Sequence, residues 1–308
     1  MIREADISEK IIAIGRAGLV LHEVLSVLEG DKTAMVATFN DFQEMDRFRN
    51  SLPELTVRES ADRWMGSSIV CGISLDKEAA AVAAEYLSNN VADQGILLGY
   101  PSCCSKRYED TTLSGIWEDS AASVYGSRER SSSFNFLTNN IFNFYSRIGK
   151  SEKNFSRMKE CREKSRLLPV NFMNLQFISH FPCRYDCPES INIGRRNRAL
   201  LKKYAPDMEK TVSSVLVKPV LFFDIFEWIV FDGRAEKDVI HYESVVQPFS
   251  LVDEVLIEKI SEGNAISADE EEINVMADDK IIFSRKKKRK EDGFILDFAD
   301  TEGDLEKE

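Results

Sequence analysis

Residues 220–246 read VLFFDIFEWIVFDGRAEKDVIHYESVV. The apolar and aromatic run from Val220 to Phe231 leads into Asp232-Gly233, and Ile240 and Tyr242 then alternate against His241 and Glu243 up to Val246. Alternation with a period of two puts one set of side chains on a buried sheet face, and Asp-Gly between two such runs is a hairpin signal. The stretch therefore predicts an antiparallel pair turning at Asp232-Gly233. Two further short strands, Ile273 to Met276 and Lys280 to Phe283, continue the pattern, so residues 215–290 are expected to form an antiparallel β-rich part. The longest strongly apolar stretch, Val215 to Phe231, contains Lys218, Asp224 and Glu227. It is about as short as a membrane span can be, and burying its charges would cost several kcal/mol, so no membrane association is expected.

Working back to the N-terminus, Ile7, Ile11, Ile14, Gly18, Leu21, Leu25 and Leu28 repeat at steps of four and three, the stripe of one amphipathic helix closed by Gly30. Met35 to Phe39 reads as a strand. Asn40 or Asp41 caps a helix running through Asn50, Ser68 to Ile73 reads as a buried strand, and Asp76 opens the alanine-rich helix Lys77 to Leu87. Strands alternating with helices suggest a small α/β unit over residues 1–95. The chain carries no GxGxxG or GxxxxGK[ST] loop, which leaves nucleotide-binding versions of that architecture without support.

Residues 96–214 are read as helices and loops. The aromatics Phe134, Phe136, Phe142, Phe144 and Tyr145 are assigned to core packing, because no basic residue interleaves them before Arg147. Arg285 to Lys290 is a run of six basic residues flanked by acids on both sides and is read as a solvated strand edge or tail in preference to a phosphate-binding arm, while residues 291–308 are expected to be an acidic disordered tail. The fold class is thus α+β: a small α/β N-terminal unit, a helical middle and an antiparallel β-rich C-terminal part. A length of 308 residues corresponds to about two domains. With 40 basic against 52 acidic residues the net charge is −12, which argues against sequence-independent nucleic-acid binding. The opening Met-Ile-Arg-Glu-Ala-Asp shows neither a secretory nor a transit pattern, and a cytoplasmic location is expected.

Chemistry concentrates in the cysteines. Four of the six fall in two tight groups. Gly99-Tyr100-Pro101-Ser102-Cys103-Cys104 places two adjacent thiols where Pro101 favours a helix start, with Lys106 and Arg107 following; the helix N-terminus and the two cations favour thiolates able to bind metal or attack electrophiles. His180-Phe181-Pro182-Cys183-Arg184-Tyr185-Asp186-Cys187-Pro188 repeats that logic, with Asp186 or Cys187 as the expected cap of a helix begun by Pro188. The HxxC and CxxxC spacings can converge on one centre, so Cys103, Cys104, His180, Cys183 and Cys187 are the candidate metal ligands, with Cys103 and Cys104 also the candidate catalytic thiols. Helical neighbours diverge by about 100°, so only one of the vicinal pair is expected to face the shared centre easily. Vicinal ligands suit a polynuclear centre, which puts an iron–sulfur cluster or iron ahead of zinc; a metal-free dithiol and a pair of merely buried cysteines are the competing readings.

The other candidates are bland. Cys71 is read as core and Cys161 as a surface thiol on a polar helix. His22 is placed on the exposed side of the first helix and His241 on the outward face of a strand. Asp186, Glu189 and Arg195 are the polar groups nearest the second cysteine segment.

The motifs GYPxCC at residues 99–104 and HxPCxxxC at 180–187 resemble the two signature blocks of a prokaryotic family known as domain of unknown function 483, closely over roughly residues 95–200. The resemblance implies that the cysteines and His180 form one site, and it implies no reaction. Three functions compete. One is a metal-thiolate enzyme acting on a small molecule or modified peptide. Another is a zinc-stabilised interaction or scaffold protein that recruits a protein partner through its C-terminal part. The third is a metal-free thiol redox protein, with a disulfide between Cys103 or Cys104 and the second pair.

Overall fold

Apolar alternation and turn chemistry set the C-terminal sheet. The computed structural model describes residues 4–61, 69–85, 91–114, 120–142, 157, 160, 174–248 and 251–298. Strands β4 (Val220–Asp224), β5 (Glu227–Glu236), β6 (Val239–Pro248), β7 (Ala265–Ala268), β8 (Glu272–Ala277), β9 (Lys280–Lys286) and β10 (Phe294–Leu296) form one sheet in the order β10-β4-β5-β6-β7-β8-β9, with every pairing antiparallel. Leu221, Ile229, Phe231, Ile240, Ile266 and Ile273 fill its core together with Leu256 and Ile260 from a helix, Glu254–Glu262, that the periodicity did not announce. The mixed α+β reading with a β-rich C-terminal part holds.

Two local expectations are corrected here. The hairpin does not turn at Asp232-Gly233: Glu236 pairs with Val239, leaving Lys237, at φ 58°, and Asp238 as the loop. Asp232-Gly233 marks a register shift instead, and a Cβ on Gly233 would lie 2.0 Å from the His241 carbonyl oxygen, so only glycine lets the two backbones approach there. The acidic tail is also ordered at its start. Phe294–Leu296 pairs with β4 and is buried, because three consecutive apolar residues complete the sheet edge that composition alone hides. At the opposite edge, β9 carries Arg285 and Lys286, and charge on an exposed edge opposes strand-to-strand aggregation.

The N-terminal stripe is two helices rather than one, α1 (Glu4–Arg16) and α2 (Leu21–Glu29). Gly18 sits in the left-handed region at φ 63°, and the amides of Ala17, Gly18 and Leu19 return to the carbonyls of Ala13, Gly15 and Ile14, a helix C-cap. The break re-phases the stripe, so His22 is buried and not on an exposed face. Beyond Gly30, which caps α2 as expected at φ 81°, β1 (Ala34–Phe39) and β2 (Thr56–Glu59) flank β3 (Ile69–Ser74) in an antiparallel sheet of order β1-β3-β2. Helix α3 (Phe42–Ser51) is capped by Asp41, whose side chain accepts from the Glu44 amide, while the Glu44 carboxylate accepts from the Asn40 amide. Helix α4 (Lys77–Ala84) lays Ala80, Ala83 and Ala84 inward.

The middle segment supplies α5 (Val91–Leu97), α6 (Ser102–Leu113), α7 (Ser120–Arg130), a 3₁₀ turn at Phe136–Thr138, α8 (Pro188–Tyr204) and α9 (Pro206–Leu216). Phe136 and Phe142 are core, as read; Phe144, Tyr145 and Cys161 lie outside the described residues. The chain forms two compact units. One comprises Met1–Asp110, Phe177–Phe181 and Pro188–Lys210; the other comprises Thr111–Gln176, Pro182–Cys187 and Thr211–Glu308. Segment 96–214 thus contributes to both. Among the described residues no helix is long and apolar enough to cross a membrane.

Candidate metal centre

The vicinal pair occupies the first turn of α6, where the amides of Cys104 and Ser105 both return to the Pro101 carbonyl. Cys103 is exposed and Cys104 is buried, and their sulfurs lie 3.9 Å apart. The expected divergence of neighbouring side chains does not separate them. Their Cβ directions differ by about 100°, but Sγ is one rotatable bond further out, and at a helix start no preceding turn restricts χ1.

Helix α8 begins at Pro188, as read, with Cys187 immediately before it. Asp186 does not cap it. The Asp186 carboxylate instead accepts from the amide and hydroxyl of Ser132. Burial pushes that carboxyl up, but the two Ser132 bonds and the Arg184 charge outweigh burial and hold it below the ordinary carboxylate range. Asp186 therefore fastens the cysteine loop and is not poised for proton transfer. The same loop is held at Tyr185, whose amide donates to Ser131 Oγ at 2.7 Å and whose carbonyl accepts from Thr138, and at Cys183, whose carbonyl accepts from Arg130 Nε at 2.9 Å. Tyr185 itself is wholly buried and meets Phe298 edge-on at 5.1 Å. Six residues of loop thus present Cys183, partly exposed, and Cys187, buried, from a firmly bonded backbone.

Cys103, Cys104, Cys183 and Cys187 form one group in which all four sulfurs lie within 4.8 Å of one another, an arrangement that could hold a metal ion. His180 does not belong to it. Its Nε2 meets Ser190 Oγ at 2.8 Å, and that hydroxyl lies 3.3 Å from Cys104 Sγ, so the imidazole stands one hydrogen-bonded residue behind the sulfur. The reason is positional. His180 lies on the segment 177–181, fixed to α8 by Asn197 Nδ2 donating to the Phe177 carbonyl at 2.8 Å, and its Nε2 is engaged by Ser190 on the first turn of α8. No family model, curated protein or solved structure matches this chain.

Behind His180 the structure assembles polar groups that no motif signals. The Tyr100 ring packs on the His180 ring at 5.1 Å, and Lys32 Nζ lies 4.7 Å from the Tyr100 ring centre. Lys32 pairs with the buried carboxylate of Glu23, whose other oxygen is 3.7 Å from His22 Nε2, and His22 Nε2 is 3.3 Å from Ser179 Oγ. Burial pulls the His22 pKa down to about 4, so the imidazole is neutral at physiological pH. Burial raises the Glu23 carboxyl, but the Lys32 ammonium prevails and keeps it ionised. Glu23, Lys32 and Ser190 could not be singled out from spacing, since each comes from a different element. Of the remaining expectations, Glu189 is exposed and Arg195 Nη1 donates to Asn192 Oδ1 one turn back. Cys71 is core, as read. Its sulfur is 3.6 Å from Met45 Sδ, and burial pushes the thiol up to about 12.

Proposed function

We propose that Cys103, Cys104, Cys183 and Cys187 hold a single tetrahedral metal ion, zinc or iron, as thiolates, and that this centre is the working part of an enzyme acting on a small molecule or modified peptide. One observation carries the reading: the four sulfurs are mutually within 4.8 Å. Metal–sulfur bonds of about 2.3 Å in a tetrahedron separate the sulfurs by about 3.8 Å, whereas the outer cysteine sulfurs of a cubane cluster are about 6 Å apart. The spacing therefore supports one ion over the iron–sulfur cluster that the vicinal cysteines first suggest. The 3.9 Å separation of Cys103 and Cys104 already matches one tetrahedron edge.

The catalytic roles expected of the vicinal pair divide by exposure. Cys103, open to solvent, is the thiolate that meets substrate; Cys104, buried beside Ser190, acts as a ligand only. A reducing compartment, the cytoplasm, suits such a set of thiolates. Kinship with domain of unknown function 483 belongs to the same proposal and is carried by the GYPxCC and HxPCxxxC motifs. The scaffold reading keeps one observation in its favour: a complete set of four thiolates leaves no open coordination position, which is the habit of structural zinc.

Anaerobic purification followed by elemental analysis and an absorption spectrum tests the centre. About one zinc or iron per chain, without acid-labile sulfide, is expected; several irons with sulfide, or no metal, overturns the reading. Alkylation of the metal-loaded protein then separates enzyme from scaffold. The enzyme reading expects Cys103 to be modified while the metal stays bound, and the scaffold reading expects no reaction until the metal is chelated.

A further inference from the structure

The Ser190 hydroxyl carries a single proton and, among the described residues, meets two polar side chains, both of them buried. Ser190 is fully buried, His180 is 4% exposed and Cys104 is 1% exposed, so water does not compete for these bonds. His180 Nε2 lies 2.8 Å from Ser190 Oγ, and Cys104 Sγ lies 3.3 Å from it on the other side. A metal-bound thiolate can only accept. The Ser190 proton then points at sulfur, and the oxygen must accept from His180, which fixes the imidazole as its Nε2–H tautomer. The Tyr100 ring against the imidazole face holds that orientation.

We propose that His180 and Ser190 form a hydrogen-bonded relay, His180 Nε2–H to Ser190 Oγ–H to Cys104 Sγ, that positions the Cys104 thiolate and sets its electron donation to the ion. His180 is in this account a positioning residue and not a ligand, and the inference rests on the metal reading above. Outer hydrogen bonds of this kind orient a ligand and tune the metal, and their loss typically costs about ten- to a hundred-fold in metal affinity.

The test compares the wild type with Ser190→Ala, Ser190→Thr, His180→Leu and His180→Gln. Zinc affinity is read by competition with a chromogenic chelator, and the thiolate-to-metal charge-transfer band is read after substitution with cobalt(II). Ser190→Ala is expected to weaken zinc binding about ten- to a hundred-fold and to move the charge-transfer band to lower energy, because an unbonded thiolate donates more strongly. His180→Leu moves the band the same way by less, and the conservative changes Ser190→Thr and His180→Gln restore it. A purely structural role for Ser190 would change affinity without moving the band. Zinc affinity and a cobalt spectrum in Ser190→Ala that superimpose on the wild type overturn the relay while leaving the metal centre standing. A wild type that binds neither zinc nor cobalt removes the metal centre and the relay with it.

Discussion

His22 is buried with its imidazole neutral, and acid should therefore unlock the N-terminal helices. Its pKa is about 4 in the fold against an ordinary 6.5. A base whose folded value is depressed binds its proton more readily in the unfolded chain. The stabilisation is complete above pH 6.5 and is lost as pH falls towards 4. At 1.36 kcal/mol per unit of pKa, the full loss is about 3 kcal/mol, of which about 2 kcal/mol has gone by about pH 5. Glu23, ionised and paired with Lys32, adds its own loss only below the ordinary carboxylate range, so the window from pH 7.5 to 5 isolates the histidine. The assay is hydrogen exchange of α2 amides, corrected for intrinsic rates, in chelator-treated wild type and His22→Gln. Protection in the wild type should fall about 30-fold from pH 7.5 to 5, following the same conversion. In His22→Gln it should start lower and stay level, and the chain's other two histidines cancel in the difference. Parallel profiles in the two proteins would refute the buried neutral imidazole.

Other outcomes follow from the geometry. Cys183→Ser or Cys187→Ser should lower bound metal well below the wild-type ratio, whereas Cys71→Ala should leave it unchanged because that sulfur packs on Met45; elemental analysis after desalting decides, and equal metal in all three sinks the ligand assignment. Gly233→Ala should cost about 2 kcal/mol or more in urea unfolding, since the new Cβ meets backbone at 2.0 Å where β5 changes register; an unchanged midpoint would contradict the close approach. In the metal-free protein N-ethylmaleimide should label Cys103 before Cys104 and Cys187, which are 1% and 2% exposed, and peptide mapping that finds the reverse order would contradict the division of roles by exposure.

What could be read without the fold was whatever depends on neighbours in the chain. Alternation over Val220–Phe231 and Val239–Val246 announced the antiparallel sheet, Asp41 and Asp76 announced helix starts, and the two cysteine groups announced themselves by spacing within a few residues. Where two local rules competed, tertiary structure decided between them. Gly18 satisfied the helical stripe and also the left-handed cap, and the cap prevailed, turning one helix into two and burying His22. Asp232-Gly233 had the chemistry of a turn, yet the strand continued through it as a bulge because Arg234, Ala235 and Glu236 still found partners on β6. Phe294–Leu296 disappeared into an acidic tail by composition and was recovered only by the sheet edge it completes.

The site divides along the same line. That Cys103, Cys104, Cys183 and Cys187 belong together was legible from residue type and spacing. That their sulfurs lie within 4.8 Å of one another, and that the Ser190 hydroxyl meets both His180 and Cys104, was not. A ligand's residue type is a property of the chain, but sulfur-to-sulfur distances depend on rotamers and on loops tied down by remote groups such as Ser131, Ser132 and Arg130. Those groups are linked to the cysteines only through space, and no period or motif connects them.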